Sequence, residues 1–357
     1  MLSIRTFLVS ALLLSAGINS SHAAVILQYH HVSDTTPVVT SISPKLFKQH
    51  LMHLKDNNYQ IWPLPKLVKH LKSHKTNPDK VVVITFDDAY DSIYQNAHPL
   101  LKKMDWPYTV FVSTDPIDKA MKGFMNWQQL KQLQRQGATI ANHSRSHAHF
   151  IRRMTEETKA QWLTRIKKEI LDADRRLEQE LGDTHKLLAY PYGEFTQEIE
   201  DLVDSLGFVG FGQQSGAVSF QHQLTAIPRF PMNNNFGAME EFAIKVASLP
   251  LAAAKTSPQH RIITSDDDLK DGLELLFHKV DGDTNQLRCY LSGHGKISLT
   301  TQEQSDYLKV RTAAIPPLAP GRSRLNCTMP SKERGRFYWH SSFWMRKLNN
   351  GEWYAEP

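Results

Sequence analysis

The sequence predicts an α/β chain: a mainly parallel sheet wrapped by helices, closed as a barrel or left open, then a small all-β domain. Three observations carry this. Short apolar runs alternate with helix-spaced stretches between residues 25 and 249, the pattern of repeated strand–helix units. Helical stretches close on glycine at Gly137, Gly182 and Gly207, as helix C-termini often do. After "LPLAAAKTSPQH" (249–260) the texture changes to short strand-like runs separated by Asp-Gly, Gly-His-Gly and Asn-Asn-Gly turns. That texture reads as a small β sandwich.

The elements follow in order. Arg5 precedes an apolar run, Phe7 to Ala16, and Ser21-His22-Ala23 then supplies a small-x-small cleavage pattern before Ala24. This predicts an export leader over residues 1–23. The run is too short to span a bilayer comfortably, so no stable membrane span is expected after cleavage. "VILQYH" (25–30), "VVVITF" (81–86), "YTVFVS" (108–113), "ATIANH" (138–143) and "LLAYPY" (187–192) read as strands. Residues 44–57, 64–74, 126–137, 156–181 and 195–207 have helical spacing. The expected organisation is a main domain over 24–249, a small-residue linker over 250–262, and a β-rich domain over 263–357. Its aromatics Tyr338, Trp339, Phe343, Trp344, Trp353 and Tyr354 read as core rather than as sugar-stacking platforms.

With 357 residues, 41% hydrophobic and 22% charged, the chain can bury a sizeable core. Its net charge of +6 is spread without a basic cluster interleaved with aromatics, which argues against a nucleic-acid partner. Cys289 and Cys327 are the only cysteines, and in an oxidising compartment they are expected to pair. They are too few for a structural zinc site of their own. The residues carry no signal for an oligomeric state.

In such folds the chemistry gathers at the C-terminal ends of strands. Asp87 and Asp88 end one strand, His143 and His147 follow another, Tyr192-Gly193 turns past Pro191 at a third, and His30 and His31 end the first. Two adjacent carboxylates repel and resist ionisation unless something offsets them. Two histidines and one carboxylate form a facial metal set with open positions, and the other carboxylate can act as base. Spacing alone leaves open which aspartate does which. Ser144 stands where a zinc-protease motif needs Glu, and no Gly-x-Ser-x-Gly elbow supports a serine hydrolase.

Three blocks, "TFDD", "NHSRSH" and "AYPYGE", resemble the signature blocks of polysaccharide deacetylases with the NodB homology domain, carbohydrate esterase family 4. "QYHHV" and "AIPRFPMNNN" (226–235) are similar to segments of the poly-β-1,6-N-acetylglucosamine deacetylases within it. The resemblance implies a deformed (β/α) barrel and hydrolysis of N-acetyl groups. It assigns Asp87 as general base, Asp88, His143 and His147 as metal ligands, His30 as general acid, and the Tyr192 backbone N–H as an oxyanion donor. One divalent ion is implied, with zinc favoured and cobalt, nickel or iron as alternatives. The expected partner is a polysaccharide, the β-1,6-linked polymer ahead of chitin oligosaccharide or peptidoglycan.

Departures from the family pattern add expectations. "TFDDA" places Ala89 where glycine is usual, so Ala89 must accept glycine-like backbone angles. Ala189 replaces an arginine that many members use to orient the base, which makes Arg229 of "IPR" the candidate for that task. His149 is a rival metal ligand. His31 is expected to point to the opposite face of its strand, as a plain neighbour. Trp127 either lines the substrate groove, as tryptophan does in family members, or packs at a helix start. No late Leu-x-His acid is found, which strengthens His30. The competing reading is a carbohydrate-binding envelope protein that kept the barrel and lost turnover.

Overall fold

The computed structural model describes residues 23–182 and 184–354; the leader segment lies outside them apart from Ala23. The first strands are β1 (Ala24–Tyr29), β2 (His31–Val32), β3 (Ser41–Ile42), β4 (Gln60–Ile61), β5 (Val81–Phe86), β6 (Thr109–Val112) and β7 (Thr139–Asn142). They continue as β8 (Leu187–Ala189), β9 (Val209–Phe211) and β10 (Phe230–Pro231). One sheet runs in the order β10-β1-β5-β6-β7-β8-β9, with β4 also pairing β5. Its pairings are all parallel. Residues 224–227 bridge β9 to the stretch that runs into β10, so the sheet curls into an incomplete barrel. Every residue of β1 and β5 is buried. Parallel strands covered on both faces need such unbroken apolar runs, and this explains "VVVITF".

Helices α1 (Pro44–Asp56), α2 (Leu64–Lys72), α3 (His98–Lys103), α4 (Thr114–Asp118), α5 (Trp127–Arg135), α6 (Lys159–Leu181), α7 (Gln197–Ser205) and α8 (Met239–Val246) flank the sheet. Local chemistry sets their ends. Ser43 caps α1 by accepting from the Leu46 N–H. Reciprocal capping boxes, Asn126 with Gln129 and Thr158 with Gln161, open α5 and α6. Gly137, Gly182 and Gly207 close their helices at φ of 94°, 85° and 76°.

The C-terminal strands are β11 (Leu249–Pro250), β12 (Ala253–Ser257), β13 (Ile262–Ile263), β14 (Glu274–His278), β15 (Arg288–Leu291) and β16 (Gly295–Ile297). They end with β17 (Leu299–Glu303), β18 (Tyr307–Thr312), β19 (Gly321–Pro330) and β20 (Phe337–Arg346). One sheet runs β11-β20-β19-β15-β16, with β13 on β20; the other runs β12-β14-β18-β17. Side chains of both meet in one core, where Phe277 of β14 lies 5.0 Å from the His340 ring of β20. Cys289 and Cys327 face each other across β15 and β19 and are disulfide-bonded.

One expectation needs correction. The stretch 250–262, read as a linker, lies within the C-terminal sheets: it holds all of β12 and one residue each of β11 and β13. Leu249 pairs with Tyr338 and Ser257 with Glu274, and such long-range partners leave no trace in local composition. The C-terminal sheets also pack on the barrel. Phe343 meets Phe195 at 5.1 Å, Trp339 meets Phe230 at 5.3 Å, and Tyr338, Phe343 and Trp344 are buried. Most of the late aromatics therefore serve packing. Trp353 and Tyr354 are partly buried against the same core and also lie against the Arg152 guanidinium.

Candidate active site

The sheet delivers the predicted residues to the C-terminal ends of β1, β5, β7 and β8. The Asp87 N–H extends the ladder by donating to the Tyr29 carbonyl, and the chain then leaves the extended region. Asp88 has φ of 72° and Ala89 φ of 58°, so Ala89 does adopt the backbone angle that glycine would take more easily. Ser144, His147 and Tyr192 share this left-handed conformation. Strained backbone gathered at one place marks a site held by its surroundings.

The loop after β7 builds itself from its own polar side chains. Asn142 Oδ1 accepts from the Ser144 N–H at 2.7 Å, and Ser144 Oγ accepts from the His147 N–H at 3.0 Å. Ser146 donates twice to Glu169 of α6. The small polar residues of "NHSRSH" thus act as local turn formers that set the two histidines.

Asp88, His143 and His147 offer one ligand atom each, and these atoms lie within 4.8 Å of one another. The Nε2 atoms of His143 and His147 sit 3.4 and 3.3 Å from Asp88 Oδ1. His143 Nδ1 lies 2.8 Å from the Ala189 carbonyl. That contact places a proton on Nδ1 and leaves Nε2 free to act as a ligand. Two imidazoles and one carboxylate, converging and backed in this way, fit a divalent metal of the zinc type. Burial would raise the Asp88 pKa, but the His143 hydrogen bond and the His147 charge hold it well below the carboxylate range.

Asp87 points elsewhere. Arg229 Nη1 donates to Oδ1 at 2.7 Å and Nη2 to Oδ2 at 2.8 Å, with both side chains fully buried. Gln28 Nε2 donates to the same Oδ2 at 2.6 Å. Burial pushes the Asp87 pKa up, yet Arg229, His143 and His30 outweigh it and keep the carboxylate ionised. Arg229 is itself anchored to the Gly212 carbonyl at 2.9 Å and lies over Phe111. The adjacent aspartates therefore face different partners, and neither is left uncompensated.

The remaining candidates are placed as follows. His30 is half-buried, close enough that its charge lowers the pKa of both aspartates. Tyr192 sits at φ of 57°, with its ring stacked on His149 at 3.7 Å and 4.4 Å from the His147 ring. His149 is outside the Asp88 cluster; its Nδ1 lies 2.9 Å from Glu194 Oε2. Trp127 opens α5, donates to Asp118 at 2.8 Å and lies under Arg176. Those partners are not part of the cluster.

The His31 expectation fails. Strand β1 ends at Tyr29, so strict alternation does not carry through His30. His31 stacks on Tyr90 at 3.6 Å, and burial with the His30 charge lowers its pKa to about 4 against the opposing pull of Asp88. Tyr90, which bonds Asp88, was not singled out in the sequence; burial and the Asp88 charge push its hydroxyl pKa up. Gln28 was missed too, though a lone polar residue in the buried strand "AVILQY" was a usable signal.

Residues 74–211 match the family model described as Polysaccharide deacetylase. The chain is 26% identical over 271 residues to the poly-beta-1,6-N-acetyl-D-glucosamine N-deacetylase of Escherichia coli (strain K12), covering 66% of this chain and 39% of that protein. It is 27% identical over 233 residues to the enzyme of the same name from Staphylococcus epidermidis, covering 60% of this chain and 80% of that protein. The Streptococcus pyogenes deacetylase PplD, solved with acetate, shares the fold: TM-score 0.56 and 23% identity over 63% of this chain and 98% of that one. The barrel, the three signature blocks and these likenesses converge, and residues 74–211 are a polysaccharide deacetylase domain.

Proposed function

We propose that this protein is an exported, metal-dependent hydrolase that removes acetyl groups from poly-β-1,6-N-acetylglucosamine. The observation that carries the reading is the division of labour between neighbours. Asp88 converges with His143 and His147, whereas Asp87 is gripped by Arg229 outside that cluster. A pure binder has no need of such a pair. The two relatives named for this polymer support the substrate. The Cys289–Cys327 disulfide supports export to an oxidising compartment. Among the described residues no helix is long and apolar enough to cross a membrane.

Asp88, His143 and His147 would hold the metal. When bound, such an ion supplies Lewis acidity at the acetamide carbonyl and acidity to the attacking water. Asp87, kept ionised, accepts a proton from that water as its oxygen bonds to the carbonyl carbon. The Tyr192 backbone N–H donates to the oxygen on which negative charge develops, a contribution of roughly 3–4 kcal/mol for such a donor. His30, protonated, gives its proton to the amide nitrogen as the C–N bond breaks. The products are acetate and a free amino sugar.

The test is acetate release by the mature chain, metal-stripped and then repleted with zinc, cobalt, nickel or iron. The substrates are β-1,6- and β-1,4-linked N-acetylglucosamine oligomers and peptidoglycan. Metal-dependent release, greatest on the β-1,6 series, is expected. Binding of the oligomers without release would overturn the hydrolase reading.

A further inference from the structure

The contacts of Tyr192 do not stop at the barrel. The turn "PYG" holds Tyr192 at φ of 57° and ψ of 3°, a conformation that side-chain-bearing residues keep only when their surroundings impose it. On the ring side, His149 lies parallel to it at 3.7 Å with an interplanar angle of 5°. Glu194, with no exposed surface, accepts from His149 Nδ1 at 2.9 Å through Oε2. On the backbone side, Arg322 Nη2 donates to the Tyr192 carbonyl. The same nitrogen lies 3.4 Å from Glu194 Oε1, and Nη1 lies 3.4 Å from Gln213 Oε1. Arg322 belongs to β19, in the C-terminal sheet, 130 residues from Tyr192 along the chain. One guanidinium thus ties together the Tyr192 carbonyl, the buried carboxylate that orients His149, and Gln213 beside Gly193.

Space is tight on that side too. A Cβ at Gly193 would fall 2.5 Å from the Gln213 side chain. The turn is therefore clamped from Gln213 and Arg322 on one flank and from His149 and His147 on the other.

We propose that Arg322 is a positioning residue for deacetylation. By fixing the Tyr192 carbonyl and the Glu194–His149 pair, it aims the Tyr192 N–H, and the C-terminal sheet thereby completes the active site. The proposal rests on the deacetylase reading for its kinetic consequence. Its structural half, that Arg322 orders residues 190–196, stands independently. An oxyanion donor acts in the transition state, so its misalignment lowers kcat more than it alters substrate binding. An error of about 1 Å in such a group can cost about 100-fold.

The experiment uses the full mature chain with zinc. Wild type, Arg322→Ala, Arg322→Lys and an Arg311→Ala control are compared by hydrogen–deuterium exchange and by acetate release. Arg311 is exposed on β18 and pairs with Glu274, away from the Tyr192 turn. For Arg322→Ala the expected result is at least ~10-fold faster exchange confined to 190–196. Its kcat should fall ~10- to 100-fold with KM within about 3-fold of wild type. Lysine should restore part of both, and Arg311→Ala should change neither. Unchanged exchange over 190–196 in both Arg322 variants would overturn the proposal, as would a kcat loss matched by Arg311→Ala. If Arg322→Ala does not fold, Arg322→Lys carries the same comparison, because loss of the planar fork still breaks the shared contact. If wild type releases no acetate, the deacetylase reading falls. The exchange result then decides by itself whether Arg322 holds the turn.

Discussion

Arg229 and Asp87 form a fully buried, two-pronged ion pair, with Nη1 on Oδ1 at 2.7 Å and Nη2 on Oδ2 at 2.8 Å. The two residues are 142 positions apart and come from the end of β5 and the approach to β10, strands that only β1 separates in the sheet. The pair holds both carboxylate oxygens of Asp87 at once, and under the proposed deacetylation this grip would orient Asp87 as the base.

Breaking this pair should cost stability and rate together. Arg229→Met leaves a buried carboxylate without its partner and should lower the unfolding free energy by about 3–5 kcal/mol. Arg229→Lys keeps the charge but not the fork, and should fold while losing at least ~10-fold in kcat through misorientation. Urea unfolding and acetate-release kinetics on the two variants check both halves. A lysine variant with wild-type kcat would refute the orienting role.

The neighbouring aspartates should separate cleanly. Asp87→Asn should retain a full equivalent of metal and lose ~100- to 10,000-fold in kcat, the range for a general base. Asp88→Asn and His147→Ala should lose metal first, with activity returning only at raised metal concentration. Metal content by mass spectrometry, measured beside turnover, distinguishes them. Metal loss in Asp87→Asn would reverse the assignment.

His50 makes stability depend on pH. It is fully buried, lies 2.9 Å from the Tyr29 hydroxyl and 2.6 Å from the Gly237 carbonyl, and stacks on Phe242. Burial lowers its pKa to about 4. Between the unfolded value near 6.5 and this folded value, the unfolded chain binds the extra proton, so stability falls as pH falls. The His50 contribution should be complete above about pH 7 and decline by roughly 1.4 kcal/mol per pH unit toward pH 4. Unfolding free energies of wild type and His50→Gln across that range check it. Equal slopes would remove His50 as the cause.

Reduction should destabilise the C-terminal sheets. The Cys289–Cys327 bond closes a loop with a sequence separation of 38, for which the chain-entropy model gives about 4 kcal/mol. Cys289→Ser with Cys327→Ser should lower stability by roughly 2–4 kcal/mol. Because Arg322 lies on the same strand as Cys327, acetate release should weaken under reductant before the barrel unfolds. Activity and circular dichroism followed together with added reductant test the order of events.

Much of this was readable because it is local. The unbroken apolar run of β5 and the glycine stops at Gly137 and Gly207 are written within a few residues of where they act. Asp88, His143 and His147 were legible for a related reason. Parallel strands must end on one face, so the residues just past their ends meet there. The errors arose where that logic stops. His31 was placed by strand alternation, but β1 ends before it. Residues 250–262 looked like a linker because their strand partners lie far along the chain.

The sequence alone determined the alternation of strands and helices, the late β-rich texture, and the residue types able to hold a metal and move a proton. Tertiary structure alone decided which further groups hold those residues in place: Gln28 on Asp87, Tyr90 on Asp88, and Arg322 on the Tyr192 turn. The physical reason is the range of the forces. Propensity, capping and strand termini act over a few residues, whereas ion pairs and hydrogen bonds act through space and join whatever the fold has brought within about 3 Å.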